Sequence, residues 1–267
     1  MAGKRRSLRS DIAWSAPDRI VVRGYDLAAD LIGRVNLGDM AFLELMGRLP
    51  TPQESAVFNA MLVALVEHGL TPSALAARLT YLGAPEALQG AVAAGLLGLG
   101  TVFVGSLEGA ARMLQEALRD APADADLKAI AARVVADFAA RREVIPGIGH
   151  PIHKPIDPRT PRLFAVAAEN GFSGRYVELI QLIAAEAEGR FNRSLPVNAT
   201  GAIGAIASEM GIPWQVCRGL GVMARAVGLV GHILEEMRQP MAEEIWFRVE
   251  EEATAHLRDA AGPARGG

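Results

Sequence analysis

The residues best suited to chemistry lie in one proline-rich segment in the middle of the chain. Residues 146–159 read PGIGHPIHKPIDPR, and the four prolines, which fix φ and lack an N–H group, exclude a regular helix. Gly147 and Gly149 allow a ligand to approach the main chain closely. His150 brings an imidazole suited to proton transfer near neutral pH, and Arg159 brings a planar fork for a carboxylate or phosphate. This combination predicts a ligand-binding loop rather than a simple connector.

Helices are expected to hold this loop on both sides. Before it, Leu127, Ile130, Val134 and Phe138 recur at helical spacing within 126–142. The other segments with helical patterns or start signals are 27–35, 40–47, 51–68, 71–82, the glycine-rich apolar run that starts at 85–86, 106–118, 161–169, 173–187, 198–210, 213–237 and 242–258. Residues 1–19 are expected to be polar and loose, 20–26 to hold one short extended piece, and 260–267 to fray. The predicted fold class is all-α.

Composition excludes several classes of function. The chain has 267 residues, 51% of them hydrophobic, and its net charge of −3 gives no bulk attraction to nucleic acid. The single cysteine, Cys217, excludes an internal disulfide framework and a cysteine-rich zinc site, and we expect it to be a buried packing residue. No metal site is predicted. The basic residues at the amino terminus are not followed by an apolar stretch, so we expect no secretory signal and a cytoplasmic location.

One apolar run is long enough to raise the question of a membrane. Residues 87–107 contain no charged side chain, a length that can span a bilayer. The run is rich in glycine and alanine and lacks an aromatic belt or flanking basic cluster. Small residues let helices pack closely, so we predict a buried helix pair and no membrane partner.

The central loop and several other motifs resemble the citrate synthase superfamily, whose signature loop reads PGxGH followed by DPR. The resemblance covers nearly the whole chain from Val22. The further matching motifs, in chain order, are RGYD at 23–26, GRLPT at 47–51, EHG at 67–69 and ARAVG at 224–228. In its length and in residues 100–111, the chain looks more like the free-standing citryl-CoA lyases and the lyase module of ATP-citrate lyase.

The resemblance implies roles for the substrate-binding residues. Arg159 and Arg225 would pair with the carboxylates of oxaloacetate, and His68 would add a second contact to that part of the substrate. His150 would bond the ketone oxygen, or the citryl hydroxyl that becomes it. For Arg225 a core or interface salt bridge is the rival interpretation, and for His68 a favourable position at a helix end. His153, His232 and His256 are expected to have no role in chemistry.

The coenzyme A side of the site follows from the same resemblance. The backbone amides of Gly147, Ile148 and Gly149 would hold the adenine. The candidate phosphate partners are Arg141, Arg142 and Lys154. We expect no tightly bound cofactor, because the coenzyme A thioester is itself substrate or product.

Two positions depart from the family pattern. Phe103 is aligned with the second catalytic histidine of the synthases, a place where the lyase branch also has phenylalanine. Thr200, within Asn198-Ala199-Thr200-Gly201, replaces the family aspartate that exchanges a proton with the acetyl-CoA methyl group. Threonine is no carboxylate base, so either another acid substitutes, or the reaction differs, or catalysis is lost. The candidate substitutes are Glu108, Glu186 and Glu188.

Three functions stay open at this point. The first is cleavage of citryl-CoA, or of a related 3-hydroxyacyl-CoA, to acetyl-CoA and oxaloacetate, with His150 accepting the hydroxyl proton. The second is a catalytically impaired protein that binds oxo acids and coenzyme A, and the third a helical dimer scaffold. The resemblance also implies a homodimer with a large domain at 1–107 and 210–267 and a small domain at 108–209. Its interface is expected at or beside the helices near Gly95 and Trp214.

Overall fold

Within residues 8–261, the part of the chain that the computed structural model describes, helices dominate and strands are few. The all-α prediction is confirmed. The helices are α1 Leu37–Met46, α2 Pro52–Val66, α3 Pro72–Gly83, α4 Leu88–Leu97, α5 Gly105–Leu118, α6 Leu127–Arg141, α7 Arg159–Glu169, α8 Arg175–Phe191, α9 Ala199–Glu209, α10 Trp214–Arg238 and α11 Ala242–Ala261. The expectations for residues 1–7 and 262–267 lie outside the described residues.

The amino-terminal segment differs from the prediction of a loose tail. Strands β1 (Ala13–Ala16), β2 (Arg19–Val22) and β3 (Tyr25–Asp26) form a small antiparallel sheet in that order. The expected helix at 27–35 is a single π-helical turn, Leu27–Leu31, capped by the Asp26 carboxylate. The extended piece expected at 20–26 contains most of β2 and all of β3. The pairing with β1 was missed, because short strands at the surface carry little apolar periodicity.

The chain divides into two compact units. Unit 1 comprises Met1–Leu62 and Leu107–Cys217, and unit 2 comprises Val63–Ser106 and Arg218–Gly267. Each unit therefore contains two separate stretches of sequence. The large and small domains expected from the sequence stay a prediction.

Unit 1 is built around α9, whose residues are small and almost all buried. Helix α9 packs on α7 and α8, and α8 also packs on α6. Gly204 brings α9 against the main chain of α5, because a Cβ there would lie 3.0 Å from the Ala111 nitrogen. The small side chains of α9 therefore allow close contact with its neighbours. Cys217 is fully buried in this unit, as expected.

In unit 2, α3 packs against α4 and α11. The glycine-rich run at 87–107 is α4, a turn and the start of α5, and it is buried at Ala91 and Gly95. Gly95 is packed on Leu229 and on the Ser73 carbonyl. Among the described residues one helix, α10, is long and apolar enough to cross a membrane, but half of its most apolar window is buried. A core helix of a soluble protein passes the same test.

Candidate functional site

The central loop is fixed to the segment that precedes α9. Ile148 and Val197 form an isolated antiparallel bridge, and the Gly149 amide donates to the Pro196 carbonyl at 2.7 Å. The Asn198 amide donates to the Gly147 carbonyl at 3.0 Å, and its side-chain amide donates to the Gly149 carbonyl at 2.7 Å. A short two-stranded contact of this kind holds the residue before His150 in a defined place.

Both loop glycines adopt backbone angles that favour glycine. Gly147 has φ +86° and Gly149 has φ +75°. Gly147 also faces Gly201 of α9 so closely that a Cβ on Gly147 would lie 2.6 Å from the Gly201 Cα, and a Cβ on Gly201 would overlap the Gly147 carbonyl. The glycines of the PGIGH motif therefore serve the turn and its contact with α9, whatever they do for a ligand.

Asp157 is a site residue that the sequence interpretation missed. Its side chain is fully buried, and it accepts from the Nε (3.0 Å) and Nη2 (2.8 Å) atoms of Arg159. The same carboxylate accepts from the Ala199 amide at 3.0 Å, in the first turn of α9. The aspartate of the DPR tripeptide was the available signal, since a buried carboxylate requires a charged or donor partner.

These bonds set the ionisation of Asp157 and the orientation of Arg159. Burial acts to raise the pKa of Asp157, but the bonds from Arg159 and Ala199 outweigh it and lower this pKa to about 2. Arg159 is 27% exposed at its side chain. Its bonds to Asp157 use two of the five guanidinium N–H groups, so the fork is held in one orientation while other hydrogens can reach a carboxylate.

His150 is half-buried, and its Nδ1 atom accepts from two backbone amides. The distances are 3.1 Å to the Ile152 nitrogen and 2.9 Å to the His153 nitrogen. A neutral imidazole that accepts through Nδ1 carries its proton on Nε2. His150 in this geometry is therefore a hydrogen-bond donor through Nε2. The proton-accepting role expected from the sequence would require both amide bonds to be given up.

His153 stacks on His150, with ring centroids 4.4 Å apart and planes 26° from parallel. No chemical role was expected for His153. Because it both stacks on the ring and donates its amide to it, it helps to fix the His150 imidazole in place.

Thr200 lies in the first turn of α9, half-buried beside the loop. Its hydroxyl donates to the Oδ1 atom of Asn198 at 2.7 Å, and the same oxygen caps the helix by accepting from the Gly201 amide at 3.0 Å. Asn198 thus links the Thr200 hydroxyl to the Gly149 carbonyl, next to His150, and Asp157 links Arg159 to the Ala199 amide, next to Thr200. The threonine offers a hydroxyl at this point and no carboxylate.

The three glutamates considered as substitutes for the family aspartate differ in their surroundings. Glu188 accepts from the Leu195 amide at 2.7 Å, and Glu186 is exposed on α8. Glu108 is half-buried in the first turn of α5, directly before Gly109 and Ala110. A Cβ on Gly109 would lie 3.0 Å from the Pro146 Cβ, and a Cβ on Gly147 would lie 2.9 Å from the Ala110 Cβ. Of the three, Glu108 alone belongs to a helix turn that packs on the loop.

The side chains expected to bind the phosphates of coenzyme A lie at the surface. Arg142 ends α6 in a left-handed conformation (φ 57°), and both Arg142 and Lys154 are exposed. Arg141 lies over the Phe138 ring and pairs with Glu143. The Gly149 amide donates its hydrogen to the Pro196 carbonyl. The amides of Gly147 and Ile148 therefore remain as candidates to bind the adenine.

Three further residues with expected roles or alignments belong to unit 2. His68 is half-buried in the turn after α2, and Arg225 is 8% exposed on α10. Their substrate-binding roles stay predictions. Phe103 is 45% exposed in the turn before α5.

Comparison with known proteins gives one consistent group of similarities. The family described as citrate synthase, C-terminal domain, matches residues 15–247. Citryl-CoA lyase from Hydrogenobacter thermophilus has a similar structure, with a TM-score of 0.79, 35% identity and 88% of each chain covered.

Two longer proteins match over a similar part of this chain. The structure of ATP citrate lyase from Methanothrix soehngenii, in complex with citrate and coenzyme A, has a TM-score of 0.72 and 23% identity over 88% of this chain and 39% of its own. A probable ATP-citrate synthase of Dictyostelium discoideum is 27% identical over 89% of this chain. This chain spans 40% of the length of that relative.

Proposed function

The chain belongs to the citrate synthase family, and we propose that it cleaves citryl-CoA, or a closely related 3-hydroxyacyl-CoA, to acetyl-CoA and oxaloacetate. Its similarity to a citryl-CoA lyase at 35% identity supports an enzyme of this superfamily. The observation that carries the cleavage reaction is the network through Asp157 and Asn198. It ties Arg159 to the Ala199 amide, next to Thr200, and ties the Thr200 hydroxyl to the Gly149 carbonyl, next to His150. The site combines a hydrogen-bond donor and an anion-binding arginine with a position that lacks the family carboxylate.

In this mechanism His150 and Arg159 bind the part of the substrate that becomes oxaloacetate. The Nε2–H group of His150 donates to the citryl oxygen, where negative charge develops as the hydroxyl proton is removed. Arg159, oriented by Asp157, pairs with a carboxylate of the substrate. His68 and Arg225 keep the substrate-binding roles that the family resemblance predicts.

The proton balance of cleavage needs a base and an acid. A base removes the hydroxyl proton, the electrons of the broken carbon–carbon bond form the enolate of acetyl-CoA, and the enolate carbon then takes up a proton. Water protonates the enolate carbon, and the hydroxide ion that forms takes up the proton held by the base, so only the base has to be a side chain. Glu108 is our candidate for this base.

Burial, together with the charge of Glu108, raises the pKa of the Cys217 thiol to about 12, which leaves that thiol protonated and unreactive.

The experiment that tests this function couples oxaloacetate release from citryl-CoA to NADH oxidation through malate dehydrogenase. We expect turnover by the unmodified protein and at least a hundredfold loss in Glu108→Gln, because a positioned base contributes about 10²–10⁴-fold. Glu186→Gln, which changes an exposed glutamate of α8, is the matched control and should retain activity. An unmodified protein that does not cleave citryl-CoA would refute the proposed reaction.

A binding measurement tests the anion-binding role separately. Titration calorimetry with oxaloacetate should show Arg159→Ala weakened by about 2 kcal/mol or more, because the carboxylate loses a charge-assisted partner. Unchanged affinity would remove Arg159 from the substrate site. A second copy of the chain as partner and a cytoplasmic location also belong to this proposal.

A further inference from the structure

A chain of hydrogen bonds in unit 2 connects the interior to the turn that carries His68. It begins at Arg78 of α3, whose side chain is fully buried. Arg78 pairs through Nη1 with Glu236 at 2.8 Å, and also with Glu235; both glutamates are on α10. Glu236 is 4% exposed at its side chain, and it accepts from the Met241 and Ala242 amides at 2.8 Å. The guanidinium group is therefore anchored to α10, next to the start of α11.

The same guanidinium group also faces the ring of His232. The Nδ1 atom of His232 lies 3.0 Å from the Nη2 atom of Arg78 and 3.3 Å from its Nε atom. Arginine has only donors, so Nδ1 must accept and the neutral ring must carry its proton on Nε2. The Nε2 atom lies 3.2 Å from the Glu67 carboxylate. Arg78 thus determines the tautomer with which His232 donates to Glu67.

Glu67 passes this restraint to the main chain around His68. Its Oε1 atom accepts from the His68 amide at 2.8 Å and from the Gly69 amide at 2.7 Å. Burial acts to raise the pKa of Glu67, but these two amides and His232 lower it, so the carboxylate that holds the turn is ionised. Gly228 lets α10 approach the turn, because a Cβ there would overlap the Val66 carbonyl.

We infer that His232 is a positioning residue for His68. It acts through Glu67, which holds the His68 amide, and it is itself oriented by the buried Arg78. This inference rests on the proposed function, since it takes His68 as a contact to the oxaloacetate part of the substrate. A histidine for which the sequence suggested no role thereby acquires one in substrate binding.

The test measures oxaloacetate affinity by titration calorimetry at 25 °C, on variants shown to be folded by circular dichroism. His232→Phe should weaken binding about tenfold, because one net hydrogen bond is worth up to about that factor. His232→Gln, whose amide can accept from Arg78 and donate to Glu67, should recover most of the loss. Glu235→Gln changes a group that also contacts Arg78 but lies outside the path to Glu67, and it should stay within twofold of the unmodified protein.

A double substitution separates positioning of His68 from a general structural effect. In a His68→Ala background, His232→Phe should cause no further loss of affinity, because the group that it positions is gone. An equal loss in both backgrounds would overturn the inference, as would unchanged affinity in His232→Phe alone. If His232→Phe does not fold, Glu67→Ala, at a side chain that is 47% exposed, replaces it in the same cycle.

A spectroscopic measurement tests the first step of the path without any ligand. Long-range ¹H–¹⁵N correlation of the unmodified protein should show His232 protonated on Nε2, and a ring protonated on Nδ1 would contradict the path. Failure of the proposed function gives a different result: the unmodified protein would not cleave citryl-CoA, or would bind no oxaloacetate at all, whatever the His232 tautomer.

Discussion

Asp157 shows how one buried carboxylate can organise a site made of several segments. It satisfies the Nε and Nη2 groups of Arg159 on one side and the Ala199 amide at the start of α9 on the other. Removing one partner of a buried ion pair costs much more than the pair contributes to stability, because the remaining charge is left without compensation. We therefore expect the aspartate to contribute to both stability and binding.

Asp157→Asn should lower stability near pH 7 and change its dependence on pH. The folded pKa of about 2 lies below the ordinary 3.8, so the contribution of Asp157 to stability is complete above about pH 4 and is lost as the pH falls towards 2. The difference between these two pKa values corresponds to about 2 kcal/mol in the free energy of unfolding. Denaturant unfolding between pH 2 and pH 7 measures the effect.

In Asp157→Asn the free energy of unfolding should be lower by about that amount at pH 7, and it should fall less steeply below pH 4. Asp120→Asn, at an exposed position, is the control and should follow the unmodified profile. Identical slopes in all three proteins would show that Asp157 has no depressed pKa.

Thr200 lies where the family resemblance predicts the aspartate that exchanges the methyl proton. Its hydroxyl donates to the oxygen that caps α9, so it takes part in local structure. A hydroxyl is no base near neutral pH, and the removal of a methyl proton needs one. We therefore expect net citrate formation from acetyl-CoA and oxaloacetate to be very slow, and cleavage to be the main activity.

Thr200→Asp should raise the exchange of acetyl-CoA methyl protons with deuterated water at least tenfold. The new carboxylate would lie at a helix amino terminus, where negative charge is favourable. Proton NMR of acetyl-CoA in deuterium oxide measures the rate, and Thr200→Asn is the control of equal size without a base. Brisk exchange in the unmodified protein would show that another residue already acts as the base.

At the scale of elements, the site depends on contacts between main chains without side chains in between. The first turn of α9 lies directly on the central loop at Gly201 and Gly147. A substitution here must move either the helix or the loop. The resulting loss of stability can be compared with the effect of the same substitution at a helix glycine that has open space around it.

Gly201→Ala should destabilise the protein by about 3 kcal/mol, because its Cβ would overlap the Gly147 carbonyl. Gly189 lies in α8, and a Cβ added there would meet no other atom within 4 Å, so Gly189→Ala should instead stabilise by about 0.5–1 kcal/mol. Thermal unfolding of both variants is the measurement. A similarly small change of stability in both variants would mean that α9 and the loop separate easily.

The helices and the loop were the predictable part of the fold. Apolar spacing and proline positions placed α6 within a residue of its observed ends, and they excluded helix in the loop before α7. The pairing of β1 with β2 was missed because four-residue strands carry too few alternating positions. Strand pairing between distant short segments, such as Ile148 with Val197, leaves no local pattern at all.

The candidate site was predictable only where residue type and chemistry coincide. Asp157 and Asn198 hold together the segments that carry Arg159, Thr200 and His150. The catalytic and binding roles of these three residues stay predictions. The part played by Asp157 and the tautomer of His150 depend on hydrogen bonds to main-chain amides. Partners of this kind are set by tertiary contacts, and the identities of neighbouring residues in the sequence do not reveal them.

At the scale of the whole molecule, one face of α10 is apolar and exposed. Val227, Val230, Leu234 and Met237 recur at intervals of three and four residues, and they are 45–53% exposed. The interface was expected near Gly95, but Gly95 is packed on Leu229 and Ser73 of its own unit. The exposed face of α10 is a stronger reason to expect a dimer, since large apolar patches mark interaction surfaces.

We expect a homodimer in which α10 contributes to the interface. Sedimentation velocity at about 10 μM should give a single species near twice the chain mass of 28.3 kDa. Val230→Glu should shift this species towards the monomer, because a charge buried between two apolar faces has no partner. Val144→Glu makes the same substitution at an 86% exposed residue in the loop after α6, and it should leave the dimer intact. A monomeric unmodified protein would contradict the homodimer, whereas a dimer unaffected by Val230→Glu would place the interface elsewhere.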